Sequence, residues 1–343
     1  MHRIAVAIVL IVALILLIAL FIHSSQKETL TIFHAGSLAT PFGELEKEFE
    51  KIYGADVRRE ATGSKATIRK ITELGKKADV VASADYTLIE DMMISSYPKY
   101  ANFCIQFAKN RMVIAYTNKS VYKDEINEGN WYKILARKNV RFGFSNPNDD
   151  PCGYRALISI QLAEIYYGND TIFDKLIEEN TAIDATEENG SYIIHVPSSA
   201  ELGINVAKIA MRSAEIDLMA SLETGDIDYL FIYRSVAYQH RHSGVYFTEL
   251  PEEIDLSSSE FADFYSKIKI SFASGDIIEG KPIVYGVTIP VNAKNEEMAV
   301  KFIALLLNET GQEILRRNGQ IPITPAICNN ITALPPELRK YVA

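Results

Sequence analysis

The chain has 343 residues, 48% of them hydrophobic and 23% charged, enough for two packed lobes or one large domain with sizeable cores. A formal charge of −9 and a pI near 5.3 leave no electrostatic footprint for nucleic acid, and basic residues nowhere cluster with aromatics, so nucleic-acid binding is set aside. Three scattered cysteines, Cys104, Cys152 and Cys328, cannot make a full disulfide framework, and no CxxC or Cys/His spacing suggests zinc, so buried thiols are expected.

Met1-His2-Arg3 precedes nineteen uninterrupted apolar residues, Ile4 to Ile22, after which the chain turns polar. Two readings stay open: a cleaved secretory signal, or an uncleaved anchor with Arg3 on the cytoplasmic side. The run exceeds a usual signal core of about 7–15 residues, whereas about 18 apolar residues can span a bilayer. Either reading places the body outside the cytoplasm, exported or held at the outer face of the membrane by residues 4–22.

TLTIFH, ending at His34, predicts a short strand that breaks at Ala35-Gly36-Ser37 before an amphipathic helix, LATPFGELEKEFEKIYG. Ser37 falls where the first free N–H groups of that helix point, which makes it either an anion ligand or a plain N-cap. The unit then repeats. ADVRRE predicts a strand, and Ala61-Thr62-Gly63-Ser64 opens the helix KATIRKITELGK. Two Gly-Ser turns after parallel strands would place both serines at carboxyl strand ends, where open α/β sheets bind ligands.

ADVVASA (78–84) reads as a buried strand followed by a helix, and MVIAYT (112–117) as a strand crossing to a second lobe. There VRFGFS delivers a third strand-turn-helix unit, SNPNDDPCGYR. Asp150 is placed as an acidic cap and Pro151 in the first turn of a helix running to Gly168. Asp149 and Asp150 could both serve only as caps. Farther on, EENGSY reads as a polar break before the strand YIIHV. In RSAEIDLMASLETGDIDYLFIYRSVA, Ser213 is a candidate N-cap, Gly225 closes a helix and Asp228 to Tyr233 form a strand. Glu215 lies in the first turn of that helix and Glu223 in its last, so only Glu215 shares the end that favours an anion. Tyr233 ends its strand with a hydroxyl free for a cleft, although a core tyrosine fits as well. His240-Arg241-His242 is too thin for a metal site and reads as a solvated turn. PIVYGVTIP would return the chain to the first lobe, and two helices close it.

Taken together and in order, HAGSL, ATGSK, DPCGYR, RSAEIDL and FIYRSVA resemble the extracytoplasmic solute-binding proteins of molybdate/tungstate ABC importers, in the archaeal-type branch. GQEILRRNGQIPI is similar to the closing helix of such proteins. The resemblance implies a two-lobed type II periplasmic-binding-protein fold, α/β, each lobe a mostly parallel sheet flanked by helices, closing by a hinge on a ligand held in the cleft. Residues 29–115 with 286–343 would form one lobe and 116–285 the other. It further implies that Ser37, Ser64, Cys152 and Tyr233 bind the oxyanion, Cys152 through its backbone amide. Asp150 and Glu215 would bond directly to molybdenum or tungsten, making it six-coordinate.

The function so implied is capture of molybdate or tungstate and delivery to a membrane permease with its ATPase. No catalysis and no cofactor are expected, and the body is expected to be monomeric. Other readings are a receptor for sulfate or phosphate, a membrane-anchored sensor with no transporter partner, and a secreted hydrolase using Ser37 or Ser64. The last lacks a GxSxG elbow and a histidine placed to serve either serine.

Overall fold

The computed structural model describes residues 27–343; the apolar stretch Ile4 to Ile22 lies outside them. Among the described residues no helix is long and apolar enough to cross a membrane.

Three sheets carry the fold. The first contains β1 (Thr29–Ala35), β2 (Asp56–Thr62), β3 (Val80–Ser83), β4 (Ile105–Lys109), β14 (Val284–Thr288) and β15 (Ile321–Cys328), in the order β15-β4-β14-β3-β1-β2. The second contains β5 (Met112–Thr117), β6 (Phe142–Gly143), β9 (Ile209–Ala210), β10 (Tyr229–Tyr233) and β11 (Val245–Glu249), in the order β11-β5-β10-β6-β9. The third, not anticipated from the sequence, is β13-β12-β8-β7, built from β7 (Asp184–Glu188), β8 (Ser191–Val196), β12 (Ile268–Phe272) and β13 (Ile277–Glu279).

The α/β class holds, but the strand directions are mixed rather than mostly parallel. β1 pairs in parallel with β2 and β3, whereas β14 runs antiparallel to both β3 and β4, and β15 antiparallel to β4. In the second sheet β6 is parallel to β9 and β10, and β5 is antiparallel to β10 and β11. The cause is the passage between the sheets: the chain leaves along β4 and returns along its neighbour β14, so the two must run in opposite senses. Asn110 and Arg111 carry the outward crossing, and the Asn110 N–H donates to Ile283 O, 3.2 Å away, at the return.

Register positions the turns. Ala35 and Thr62, the last residues of β1 and β2, are paired, which puts the Gly36-Ser37 and Gly63-Ser64 turns side by side. In the second sheet the ends of β6 and β9 are paired, and the Asn146 N–H donates to Arg212 O at 2.7 Å. The stretches around residues 145–150 and 212–216 are thereby brought together.

The helix Pro151–Tyr167 starts as its local chemistry demands: the Asp150 side chain accepts from the Cys152 N–H, Pro151 fills the first turn, and Gly168 ends it at φ 60°. Every residue from Pro151 to Glu164 is buried, because the helix packs against both β10 and β12. That accounts for its all-round apolar character.

Several local expectations change. Ala214, not Ser213, precedes the 3-10 turn Glu215–Leu218 that runs on into the helix Met219–Thr224. EENGSY is a hairpin turn with Asn189 and Gly190 both at positive φ, 54° and 77°. Arg241–Ser243 is a 3-10 turn, as the solvated-turn reading has it, and His240 Nδ1 pairs with the half-buried Glu223 at 2.7 Å. Cys104, Cys152 and Cys328 are all free and buried.

Candidate functional site

The two sheets meet across the turns that follow β1, β2, β6, β9 and β10. Gly63 measures the approach: a Cβ there would lie 2.6 Å from Asp149 O, 2.7 Å from Ser213 O and 3.0 Å from Asp150 Cβ. A Cβ on Gly36 would lie 3.3 Å from both carboxylate oxygens of Glu215. Only glycine permits the first approach and glycine eases the second, so the Gly-Ser turns of one lobe are pressed onto Asp150 and Glu215 of the other.

Asp150 and Glu215 are adjacent and each about 1% exposed. The Glu215 N–H donates to Asp150 Oδ2 at 3.0 Å, and the Cys152 N–H donates to Asp150 Oδ1 at 3.3 Å. Glu215 Oε1 is buried without a hydrogen-bond partner among the described residues. Burial, then the charge of Asp150, raises the Glu215 carboxyl well above its usual range, while the neighbouring Ser37 hydroxyl pulls the other way. Burial also raises Asp150, against hydrogen bonds from Ser145 and from the Cys152 and Glu215 amides. Two carboxylates this close resist being charged together.

Around the pair stand hydroxyls whose oxygens are already approached by donors. Ser64 Oγ accepts from the Ala84 N–H at 2.9 Å. Tyr233 Oη accepts from Arg155 Nη1 at 2.8 Å, and Ser37 Oγ accepts from Tyr285 Oη at 3.1 Å. All three hydroxyl residues are at most 1% exposed. The six residues singled out from sequence, Ser37, Ser64, Asp150, Cys152, Glu215 and Tyr233, are all buried; hydrogen bonds join Asp150 to Cys152 and Glu215, the Gly-Ser turns bring Ser37 and Ser64 next to that pair, and Tyr233 is tied through Arg155 to the helix that Asp150 caps. The Cys152 thiol faces Phe231 O at 3.9 Å, and its amide serves the Asp150 cap.

The sequence reading missed the residues behind these. Arg155 crosses between lobes: Nη1 donates to Ala84 O at 2.7 Å, and Nη2 lies 3.3 Å from Asp85 Oδ2, which also accepts from Tyr154 Oη at 2.6 Å. Burial opposes ionisation of Asp85, but Arg155 and Lys281 outweigh it and hold the carboxyl below its usual range. Lys65, the residue after Ser64, makes a second link through Nζ to Asp276 Oδ2 at 3.1 Å, with its ammonium 4.3 Å from the centre of the Phe272 ring. Ser145, fully buried, stands beside Asp150 as well. Among the described residues, no group of three or more His, Cys, Asp or Glu converges to hold a free metal ion.

Residues 30–320 match the family model described as bacterial extracellular solute-binding protein. The chain belongs to this family. A solute-binding protein of Methanococcus maripaludis is 50% identical over 309 residues, spanning 89% of this chain and 90% of that one. The molybdate/tungstate-binding protein of Pyrococcus abyssi is 46% identical over 315 residues, spanning 89% and 88%. Among solved structures, the periplasmic molybdate-binding protein of Azotobacter vinelandii superposes with a TM-score of 0.58 at 16% identity, covering 85% of this chain and 98% of that one, a likeness of fold. The two-lobed binding-protein fold is thus common to both, and the family is one of solute-binding proteins outside the cytoplasm.

Proposed function

We propose that the protein binds molybdate or tungstate outside the cell and hands it to the permease and ATPase of an ABC importer, without catalysing a reaction or carrying a resident cofactor. Ser37, Ser64, the Cys152 amide and Tyr233 contact the oxyanion's oxygens. Asp150 and Glu215 bond to the metal, raising its coordination from four to six. The lobes, which exchange chain at Asn110-Arg111 and near Ile283 rather than at 115/116 and 285/286, close on the anion about those crossings. Residues 4–22 export the chain or hold it at the outer face of the membrane, and the body works as a monomer.

The observation that carries this reading is the buried Glu215 Oε1, without a hydrogen-bond partner among the described residues, beside Asp150. A plain anion would meet two carboxylates there, at a cost of roughly 1–4 kcal/mol per charge pair near 4 Å for effective dielectric constants of about 80 to 20. A hexavalent metal that arrives with its own four oxygens and accepts two more reverses the sign of that interaction. Sulfur in sulfate and phosphorus in phosphate do not expand in this way, so the same carboxylates repel them. The high identity to a molybdate/tungstate-binding relative supports the reading.

Calorimetry on the purified chain tests it. Molybdate and tungstate are expected to bind, and sulfate and phosphate to give no heat at the same concentrations. The opposite pattern would refute the ligand. X-ray absorption of the complex is expected to give six nearest oxygens; four would remove Asp150 and Glu215 from the metal.

A further inference from the structure

The hydrogen bonds behind Ser37 run in one direction. The Arg111 and Ser235 N–H groups both donate to Asn110 Oδ1, at 3.0 and 3.3 Å, which fixes the orientation of that amide. Asn110 Nδ2 must then donate, and it does so to Ser235 Oγ at 2.7 Å and Tyr285 Oη at 2.8 Å. With its oxygen taken, Tyr285 gives its own proton to Ser37 Oγ. Ser37 is left with its own proton to donate, in a turn where a Cβ on the preceding Gly36 would lie 3.3 Å from both carboxylate oxygens of Glu215. Asn110, Ser235, Tyr285 and Ser37 are all at most 2% exposed, so water does not scramble the order.

We infer that Asn110 and Tyr285 are positioning residues: the relay Asn110 to Tyr285 to Ser37 makes the Ser37 hydroxyl an obligatory proton donor to the bound anion. This rests on the molybdate/tungstate reading of the site. The relay also has a location that matters. Asn110 is the residue on which the chain crosses from the first sheet to the second, and its amide holds Ser235, just after β10 of the second sheet, and Tyr285, on β14 of the first, at once. Its hydrogen-bond order is complete only when both crossings are in place, so the donor state of Ser37 is tied to the geometry of the hinge. The same order occurs twice more: Arg155, which can only donate, points at Tyr233 Oη, and the Ala84 N–H points at Ser64 Oγ. A site whose hydroxyls all present protons favours an oxyanion that carries none.

The test is a double-mutant cycle on the full chain, read as molybdate affinity by calorimetry. Tyr285→Phe is expected to weaken binding about five- to thirtyfold, the size of one buried hydrogen bond. Asn110→Asp keeps the acceptor for the two amides but turns its other oxygen into an acceptor. Tyr285 then donates backward, draws the Ser37 proton away from the anion, and the loss is expected to exceed that of Tyr285→Phe. In a Ser37→Ala background the Tyr285→Phe effect should fall below twofold, and most of the Asn110→Asp effect should vanish. Equal losses with and without the Ser37 hydroxyl overturn the relay, and if Asn110→Asp does not fold, the Tyr285→Phe cycle decides alone. A wild-type chain that binds neither molybdate nor tungstate overturns the ligand reading instead.

Discussion

Replacing Gly63 by alanine separates closure of the lobes from folding of either one. Gly63 has φ −56° and ψ 140°, a conformation alanine adopts freely, so the turn itself carries no strain. The added methyl meets backbone, not flexible side chain: Asp149 O at 2.6 Å and Ser213 O at 2.7 Å, both in the opposite lobe. Restoring ordinary contact requires the lobes to part by about 0.8 Å at this point. That separation lengthens the Ala66 N–H bond to Asp149 O, already 3.2 Å, and strains the link of Arg155 to Ala84 O and Asp85. Overpacking of this kind costs about 1–3 kcal/mol and a weakened buried hydrogen bond about 1 kcal/mol more, so about 2–4 kcal/mol is lost from the closed, ligand-bound form. Molybdate affinity should drop by roughly 30- to 1,000-fold, while the thermal midpoint of the ligand-free chain stays within about 2 °C of wild type. Calorimetry measures the first and scanning calorimetry the second. Affinity within threefold of wild type would refute the closed approach, and a large fall in the ligand-free midpoint would place the clash inside the fold instead of between its lobes.

Glu215→Gln should act with opposite signs on stability and binding. Relief of its repulsion with Asp150 is expected to raise the ligand-free midpoint by a few degrees, about 1 kcal/mol, while molybdate affinity falls and the metal's coordination number in X-ray absorption drops below six. Asp85→Asn leaves Arg155 as a buried charge without its partner; a loss of about 3 kcal/mol from the closed form should appear as weaker ligand binding and a wider envelope in solution scattering with molybdate present. No change in either would show that the pair does not latch the lobes. His34 is buried, and burial lowers its pKa from 6.5 to about 4. Between those values the unfolded chain binds the extra proton, so His34 contributes stability above pH 6.5 that is lost as pH falls, about 3 kcal/mol by pH 4. Burial also raises Asp255 to about 6, which works in the opposite sense, because its native carboxyl takes up a proton as pH falls. The difference between wild type and His34→Gln in denaturant titrations from pH 7 to 4 isolates the histidine, and parallel curves would contradict its burial as a neutral ring.

What could be read from the sequence was what is written locally. Asp150 and Pro151 specify a helix start within two residues, and the Gly-Ser turns lie immediately after their strands, so no distant partner is needed to recognise either. The hairpin at Asn189-Gly190 is equally local: an Asn-Gly pair before an apolar strand is the usual sign of a tight turn, more specific than a polar break. The third sheet goes with it. Strand direction was a different matter: nothing in PIVYGVTIP says that β14 will lie between β3 and β4 and run against both, since that follows from where the chain crosses between lobes. The residues behind the site share this difficulty. Tyr285 reaches Ser37 across 248 positions of sequence and Arg155 reaches Ala84 across 71, and each reads by itself as an ordinary core tyrosine or a helix arginine. Their chemistry is a property of two lobes brought together. The groups proposed to touch the anion sit on turns and helix starts that the local sequence dictates, whereas those proposed to orient them are buried where the lobes and their crossings meet. A substitution among the first should change what is bound, and one among the second should change how firmly the closed form holds it.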